Sequence, residues 1–424
     1  MSLSTTDFHT TSSSVINAEA HIEATTIPLA LYIHIPWCVK KCPYCDFNSH
    51  ELGEKFQPSM YEEYVDALLL DAQMQQTLTQ GRQLTSIFIG GGTPSLLPIE
   101  QYERLFAGLR VCFDFADDIE ITMEANPGTL EHAPFAEYLK VGINRLSIGV
   151  QSFAADKLQT LGRIHDPTQA FSAIQAARAA GFKRVNVDLM HGLPQQSVEE
   201  ALHDIQTAHD AGATHLSWYQ LTIEPNTVFY RSQPILPDED NLADIEEAGQ
   251  ALLQNLGYDN YEVSAWAGAS DKPCRHNMNY WQFGDYLAIG AGAHGKITIN
   301  DGVVDNRMLG LSNDKETRLA AGIYRFSKSR SPKDYMTYQD VPRMVNWQPI
   351  AIDELTSEFM LNALRIHDGD AWSSLEARTG LSYKSIASQV ERLVEQGLLM
   401  DDPKRLQPTA LGRRYLNQIL RAFL

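Results

Sequence analysis

Three cysteines lie close together in the segment CVKKCPYC, at positions 38, 42 and 45. The remaining two of the chain's five cysteines are far away in sequence. A thiolate is both a nucleophile and a metal ligand, and in a reducing compartment a tight group of cysteines more often binds metal or does redox chemistry than forms disulfides. A structural zinc ion takes four protein ligands and a disulfide takes two thiols. The segment therefore indicates a metal or redox centre that uses three cysteines.

Three interpretations of this loop are open on its residues alone. A structural zinc ion would take a fourth ligand from His34 or His50, but zinc sites usually consist of two separated ligand pairs. Inert buried thiols would follow the period of a helix or strand and would not lie in a loop with lysine and proline. A [4Fe–4S] cluster held by Cys38, Cys42 and Cys45 would leave one iron without a protein ligand, so that this iron can bind a cofactor directly. The cluster is the interpretation that explains the number three.

Six short apolar runs alternate with longer amphipathic segments from residue 31 onward. Successive βα units give parallel strands joined by right-handed crossovers. The pattern predicts an α/β fold, a partial TIM-type (β/α)6 barrel, with an open doubly wound sheet as the alternative. The strand candidates are residues 31–35, 85–90, 119–125, 145–150, 184–190 and 215–221, and the clearest helix candidates are residues 61–78, 168–181 and 198–212.

Glycine and polar residues follow several of these strands, at the end where βα barrels carry their chemistry. GGGTPS (90–95) follows the second strand, and because it lacks GK[ST] it is not a P-loop. Glu124, Gln151 and Asp188 lie at or near the ends of the next three strands. A single carboxylate there is more often a helix cap or an ion pair, but polar residues from successive units that converge on one rim favour a binding site.

These motifs, in this order, resemble the radical S-adenosylmethionine (SAM) superfamily, whose signature CxxxCxxC is present as Cys38, Cys42 and Cys45. The resemblance implies a [4Fe–4S] cluster whose open iron chelates SAM through its amino and carboxylate groups. In that superfamily, reductive cleavage of SAM yields a 5′-deoxyadenosyl radical. The resemblance thus supplies a role for the iron that the cysteines leave free.

Within the superfamily, the chain is most similar to the branch that contains the oxygen-independent coproporphyrinogen III dehydrogenase HemN and the heme chaperone HemW. The similarity covers about residues 30–424 and is carried by YIHIPWC, FIGGGTPS, MEANPG, SIGVQSF and DLMHGLP. It implies contacts with SAM from Tyr32, Gly91, Gly92, Thr93 and Glu124, and contacts with SAM or a second bound molecule from Tyr44, Gln151, Arg163 and Asp188.

Two positions distinguish the members of this branch. The dehydrogenase pattern extends the cysteine loop to CxxxCxxCxC, whereas this chain has Phe47 at the last position. Residues 276–281, HNMNYW, match the HNxxYW signature of the chaperone. The resemblance therefore implies a heme chaperone that binds a cluster, SAM and heme and transfers heme to acceptor proteins, membrane-bound ones included, with an electron donor as a further partner. The alternative is the dehydrogenase of porphyrin biosynthesis, which decarboxylates coproporphyrinogen III oxidatively, so enzymatic activity stays open.

The heme ligand has two candidates. His276 of the HNxxYW segment has an imidazole suited to iron, and Tyr280 and Trp281 beside it could face a porphyrin. In the alternative interpretation His276 joins loops by hydrogen bonds while the two aromatic residues fill the core. His294, in GAGAHG, is the second candidate.

The sequence divides into four regions. Residues 1–28 contain no lysine or arginine and no apolar run, which predicts a disordered extension. The barrel occupies 29–265, a connecting region with HNxxYW occupies 266–350, and a mainly helical, winged-helix-like module occupies 351–424. A small β-wing is expected in DDPKRLQPT, and packing against the barrel is favoured over DNA binding as the role of this module.

The charge balance bears on partners and compartment. The chain has 53 acidic and 34 basic residues and a net charge of −19, which repels a polyanion, so nucleic acid is not expected as a partner. No stretch reaches the roughly 20 consecutive apolar residues of a membrane-spanning helix. With no export signal, the sequence predicts a cytoplasmic protein.

Overall fold

The computed structural model describes residues 22–54, 56–129, 134–300, 302–305, 316–337 and 345–424. The strands are β1 (Leu29–Ile35), β2 (Trp37–Cys38), β3 (His50–Glu51), β4 (Leu84–Gly91), β5 (Phe115–Ala125), β6 (Arg145–Gln151), β7 (Arg184–His191), β8 (His215–Gln220), β9 (Tyr258–Glu262), β10 (Ala265–Gly268), β11 (Asp285–Ile289), β12 (His294–Ile299), β13 (Gly302–Asp305), β14 (Glu316–Leu319), β15 (Gly322–Lys328), β16 (Val345–Pro349), β17 (Asp370–Ala371) and β18 (Arg405–Leu406). The α-helices are α1 (Ser59–Gln75), α2 (Ile99–Cys112), α3 (Phe135–Val141), α4 (Ala155–Thr160), α5 (Pro167–Ala179), α6 (Val198–Ala211), α7 (Val228–Ser232), α8 (Glu239–Asn255), α9 (Arg275–Trp281), α10 (Pro332–Met336), α11 (Ile352–Ala363), α12 (Trp372–Thr379), α13 (Ala387–Glu395), α14 (Ala410–Arg414) and α15 (Leu416–Arg421).

One large sheet organises the molecule. Its strand order is β16-β15-β12-β11-β1-β4-β5-β6-β7-β8-β10-β9. The six predicted strands, β1 and β4 to β8, are neighbours in chain order and pair in parallel. A doubly wound sheet reverses its strand order at a switch point, and this run has no reversal. The barrel-type prediction is therefore confirmed and the doubly wound alternative is wrong.

The parallel strands are buried on both faces. β1 reads LALYIHI, with every residue except Tyr32 buried, and β6 reads RLSIGVQ with only Gly149 less than buried. Strands that are covered by helices outside and by side chains inside have to be apolar nearly throughout, which is why they read as continuous hydrophobic runs.

The sheet continues beyond residue 265. β11 pairs in parallel with β1, and β12, β15 and β16 follow it in antiparallel order. At the opposite end β10 pairs antiparallel with β8 and with β9. The region that the sequence assigns to connecting structure therefore supplies strands to the same sheet, on the side of β1.

Capping residues set the limits of two predicted helices. The side chain of Asp166 accepts a hydrogen bond from the Gln169 N–H at the start of α5, and Ser197 does the same for Glu200 at the start of α6, each as a capping box. α6 ends at Gly212, whose φ of 102° is a conformation that glycine adopts without strain. Within the parts of the chain described above, no helix is both long and apolar enough to cross a membrane.

A second apolar cluster joins the C-terminal helices to the barrel. Phe359 of α11 and Leu375 of α12 pack in it with Phe283 and with Ile22 and Ile27 near the N-terminal end of the described chain. Ordered packing thus begins before residue 29, where the sequence predicts a disordered extension, and residues 1–21 lie outside the described residues. β18, in the segment expected to hold a small wing, pairs with β17. These contacts make the C-terminal module a packing partner of the barrel.

Candidate cofactor and ligand site

Two cavities open at the carboxyl end of the parallel strands. The first, here called the cysteine cavity, has a volume of about 580 Å³ and is bordered by the three clustered cysteines. The second, the aromatic cavity, has a volume of about 510 Å³ and lies on the β1, β11 and β12 side. They share a wall formed by Asp46, Phe47, Gly91, Glu124 and Trp281.

The structure brings almost all of the sequence-predicted site residues to these cavities. The cysteine cavity is lined by Cys38, Cys42, Tyr44, Cys45, Gly91, Gly92, Thr93, Glu124, Gln151, Arg163 and Asp188. Tyr32 lines the aromatic cavity. His276 is not among the lining residues of either cavity.

The cysteine loop connects β2 to β3, which pair in parallel at its base. All three cysteines are free thiols and partly exposed. Burial raises the pKa of Cys38 and of Cys45. Ser49 Oγ lies 3.7 Å from Cys45 Sγ. Because metal ligation requires thiolates, binding of iron here would release protons.

The number of thiols suits a cluster better than a structural zinc ion, which takes four protein ligands. Within the described residues, no group of three or more His, Cys, Asp or Glu side chains converges so as to hold one metal ion. A zinc ion needs every ligand atom within about 2.3 Å of one point. In a [4Fe–4S] cluster the thiolates are shared out over several irons, so the sulfurs stand farther apart. Cys38, Cys42 and Cys45, all on the wall of one cavity, therefore fit the cluster.

The histidines considered as a fourth zinc ligand are already engaged. His34 places Nδ1 3.0 Å from the Tyr32 hydroxyl and Nε2 2.9 Å from the Asn48 carbonyl oxygen. His50 Nε2 lies 3.2 Å from the Arg330 carbonyl oxygen. Burial lowers the pKa of His34 to about 4. Both imidazoles hold loops together, which removes the support for a zinc site.

The glycine turn after β4 fastens the cysteine loop to the barrel. Gly92 N–H donates to the Ile35 carbonyl and Thr93 N–H to the Trp37 carbonyl, each at 2.7 Å. A Cβ on Gly92 would lie 2.5 Å from the Trp37 carbonyl oxygen, so only glycine allows this approach. The Thr93 side chain hydrogen-bonds to Cys38 and opposes the rise in its thiol pKa. The turn thus positions the first cysteine.

Two carboxyl groups, Glu124 and Asp188, line the cysteine cavity and interact electrostatically. Burial, with the charge of Asp188, raises the pKa of Glu124 to about 8. Burial also raises the pKa of Asp188, which accepts hydrogen bonds from Ser147 Oγ at 3.0 Å and Asn186 Nδ2 at 2.8 Å. Glu124 accepts one from the Gly91 N–H at 3.1 Å. At neutral pH Glu124 is therefore largely protonated and able to donate a hydrogen bond to a ligand.

Arg163 ties the cysteine loop to the end of β6. Its Nη1 donates to Cys42 Sγ at 3.7 Å and to the Tyr44 hydroxyl at 3.5 Å, and its Nη2 donates to the Gly149 carbonyl. The Tyr44 ring lies beside Phe229 of α7. A guanidinium against a thiolate stabilises the charged sulfur, so Arg163 orients the loop and favours the thiolate form of Cys42.

Sequence reasoning missed several residues of the cysteine cavity. Ser147, Asn186, Ser217 and Tyr219 line it, and Tyr219 donates to Gln151 Oε1 at 2.9 Å. Ser147 lies four positions before Gln151 on β6, Asn186 lies two positions before Asp188 on β7, and Ser217 and Tyr219 are two positions apart on β8. This period-two spacing is the signal that could have found them. Gln151 has φ of +74°, a conformation uncommon for residues other than glycine and one that clusters at functional sites.

His276 lies in the core beneath the aromatic cavity. Its ring is buried, with Nδ1 3.3 Å from Ser86 Oγ and Nε2 2.8 Å from the Tyr280 hydroxyl. Burial lowers its pKa to about 3. Trp281, from the same helix α9, lines both cavities and is covered by the guanidinium of Arg365 at 4.3 Å. Both nitrogens of His276 are thus engaged, as the alternative interpretation expects.

The chain is similar to known proteins both in sequence and in fold. Residues 32–208 match the family model of the radical SAM superfamily, and residues 352–415 match that of the HemN C-terminal domain. The chain is 44% identical over 401 residues to the heme chaperone HemW of Haemophilus influenzae and 45% identical over 397 residues to that of Escherichia coli, in each case over 94% of this chain and 98% of the relative. The crystal structure of the coproporphyrinogen III oxidase HemN from Escherichia coli matches with a TM-score of 0.75 and 24% identity, over 96% of this chain and 93% of that one.

Proposed function

Since the chain belongs to the HemW family of heme chaperones in the radical SAM superfamily, we propose that it binds heme and transfers it to acceptor proteins. The observation that carries the proposal is the pairing of a cysteine cavity with a separate aromatic cavity across one shared wall. One cavity suits a cluster with its cofactor, and the other leaves room for a large flat ligand. A fold does not fix its function, so binding and delivery on a radical SAM barrel need no catalysis.

The cluster and SAM are further parts of the proposal. Cys38, Cys42 and Cys45 would hold a [4Fe–4S] cluster, and its open iron would supply a coordination position for SAM. Thr93 and Arg163 orient Cys38 and Cys42 through the contacts described above. Protonated Glu124 and the freed amides of the glycine turn offer hydrogen bonds to a polar ligand in the same cavity.

The dehydrogenase alternative has less support from this chain. Phe47 occupies the position of the last cysteine in the dehydrogenase pattern, and its ring is 60% exposed on the wall between the cavities. The likeness to HemN, at 24% identity, shows the shared fold and no more. The close relatives over nearly the whole chain are the heme chaperones.

An anaerobic titration tests the proposal. Protein reconstituted with iron and sulfide would be titrated with ferric heme while the Soret band is recorded, and we expect saturation near one heme per chain. A parallel sample supplied with SAM, a reductant and coproporphyrinogen III should form no protoporphyrinogen. Absence of a saturable Soret band, or sustained turnover of coproporphyrinogen, would contradict the chaperone function.

The cellular setting belongs to the same proposal. We place the protein in the cytoplasm, with heme-acceptor proteins and an electron donor as its partners. Phe283 and the C-terminal helices share one apolar cluster, which holds the C-terminal module against the barrel.

A further inference from the structure

The aromatic cavity has a composition that sets it apart from the cysteine cavity. Its walls include six aromatic side chains and a group of cationic or imidazole side chains. The aromatic residues are Tyr32, Phe47, Tyr280, Trp281, Phe283 and Tyr286. Its volume of about 510 Å³ lies within the range of about 300–1,000 Å³ that is typical of sites for small organic ligands. Such walls suit a large planar ligand that carries negative charge.

His294 supplies a free imidazole at this cavity. It is the first residue of β12, it is exposed, and it lines the cavity. Within the described chain its ring nitrogens have no hydrogen-bond partner, in contrast to His34 and His276, whose nitrogens are all engaged. Partial burial, with the charges of Arg330 and Arg325, lowers its pKa and so favours the neutral ring. A neutral imidazole is the form that binds iron.

Cations lie on the same side of the cavity as His294. His294 and Lys296 share one face of β12, and Arg325 of β15 stands opposite Lys296 in the register. Lys296 is buried and forms a salt bridge with Asp285, with Nζ 3.0 Å from Oδ1. Arg325 forms a salt bridge with Glu358.

Arg330 is the least committed of these cations. Its side chain is exposed. Among the described residues, the only hydrogen bond of this side chain runs from Nε to Asn48 Oδ1, at 3.5 Å. The cavity therefore offers at least one guanidinium that can pair with a carboxylate of a ligand.

The wall shared with the cysteine cavity does not oppose an anionic ligand strongly. Of its two acidic residues, Glu124 is largely protonated at neutral pH, because burial and Asp188 raise its pKa to about 8. Asp46, the other one, directly follows Cys45 in the cysteine loop and shares the cavity lining with Arg330. Phe47 and Trp281 complete the wall with flat apolar surface.

We propose that the aromatic cavity is the heme site, with His294 as the iron ligand, Arg330 as the partner of a heme propionate, and Phe47 as a face against the macrocycle. This inference rests on the proposed function and adds the location and the residues. It places heme on the opposite side of the shared wall from the cluster and assigns His276 a positioning role, through its hydrogen bond to Tyr280.

Ferric heme and its dimethyl ester distinguish the parts of this site. Each would be titrated into reconstituted wild-type protein and into the variants His294→Ala, Arg330→Ala and Phe47→Ala, with His203→Ala as the matched control. His203 is exposed on α6, away from both cavities. Cluster absorption, recorded before each titration, tests whether each variant has kept its fold.

The expected results differ between variants. His294→Ala should weaken heme binding by roughly tenfold or more and shift the Soret maximum, since it removes an iron ligand. Arg330→Ala should weaken binding of heme by roughly tenfold but leave the dimethyl ester unchanged, because the ester has no charge to pair. Phe47→Ala should weaken both ligands alike, and His203→Ala should behave as wild type.

Two outcomes separate this inference from the proposed function. If wild-type protein binds heme and both His294→Ala and Arg330→Ala retain its affinity and Soret maximum, heme lies elsewhere, and the site is overturned while the chaperone function stands. If wild-type protein binds no heme, the proposed function fails, and this site fails with it. Should His294→Ala lose its cluster absorption, the comparison of heme with its ester in the exposed Arg330→Ala variant decides the question.

Discussion

Replacing Gly92 by alanine should loosen the cysteine loop. The added Cβ would lie 2.5 Å from the carbonyl oxygen of Trp37, 2.8 Å from its carbonyl carbon and 2.9 Å from that of Pro36. All three are backbone atoms, so no side-chain rotation can relieve the contact. Relief requires the turn and the loop to move apart, which stretches the 2.7 Å hydrogen bond from Thr93 N–H to the Trp37 carbonyl.

The size of the effect can be worked from these contacts. Overpacking of this kind costs about 1–3 kcal/mol, and loss of a backbone hydrogen bond costs about 1 kcal/mol. Together they amount to about 2–4 kcal/mol, which is more than tenfold in the equilibrium between the ordered and displaced loop. Since Thr93 also contacts Cys38, the displacement moves a proposed cluster ligand.

The assay compares cluster content and cluster retention. Iron and sulfide per chain, visible absorption, and the rate of iron release to a chelator would be measured for wild type, Gly92→Ala and Gly53→Ala. Gly53 is the matched control, because it follows the same loop and a Cβ on it would meet nothing within 4 Å. We expect low content and fast release only for Gly92→Ala. Equal values for all three proteins would refute the idea that this close approach holds the loop.

Other variants test single features of the site. Cys42→Ala should abolish the iron–sulfur absorption, whereas Cys112→Ala, buried at the end of α2, should leave it intact. Arg163→Lys should lower cluster retention relative to wild type in the same chelator assay, since one ammonium cannot replace the contacts to Cys42, Tyr44 and Gly149 together; retention equal to wild type would contradict this. Because the folded-state pKa of Glu124 is raised to about 8 from a usual value of 4.5, its contribution to stability is complete below pH 4.5 and is lost as the pH rises through 8. The free energy of unfolding, measured with urea on cluster-free protein, should therefore decline less between pH 5 and 8 for Glu124→Gln than for wild type. Parallel declines in the two proteins would contradict a raised pKa of Glu124.

The sequence predicts the half of the sheet in which each strand has a hydrophobic pattern within its own residues. β1 and β4 to β8 are largely buried and mostly apolar, so each is visible as a short hydrophobic run. β11 and β12, in contrast, lie in a stretch rich in glycine and aromatic residues, and they form strands because β1 offers an edge to pair with. Pairing between residues so far apart in sequence leaves no local signal, so the region was predicted as connecting structure.

The residues of the site also fall into those that the sequence predicts and those that depend on tertiary contacts. The cysteines and the glycine turn are short motifs whose chemistry is visible in their own residues, and the structure brings them to one cavity. The roles of His276 and His294 depended on burial and on partners supplied by other strands. Ser86 and Tyr280 engage His276, while His294 lies at the start of β12 and its ring has no hydrogen-bond partner among the described residues. Nothing in the two sequence segments distinguishes these environments.

The place of β1 within the sheet has a consequence for the lifetime of the metal centre. β1 is hydrogen-bonded to β4 along one edge and to β11 along the other, and the cysteine loop follows directly from its carboxyl end. A strand with neighbours on both sides exchanges its amide hydrogens only when large parts of the molecule unfold together. Fraying of a strand at the edge of the sheet therefore does not release the carboxyl end of β1, where the cysteine loop begins. Loss of metal would then proceed by oxidation or chelation at the mouth of the cavity. Its rate would be set by solvent access and not by local unfolding of β1.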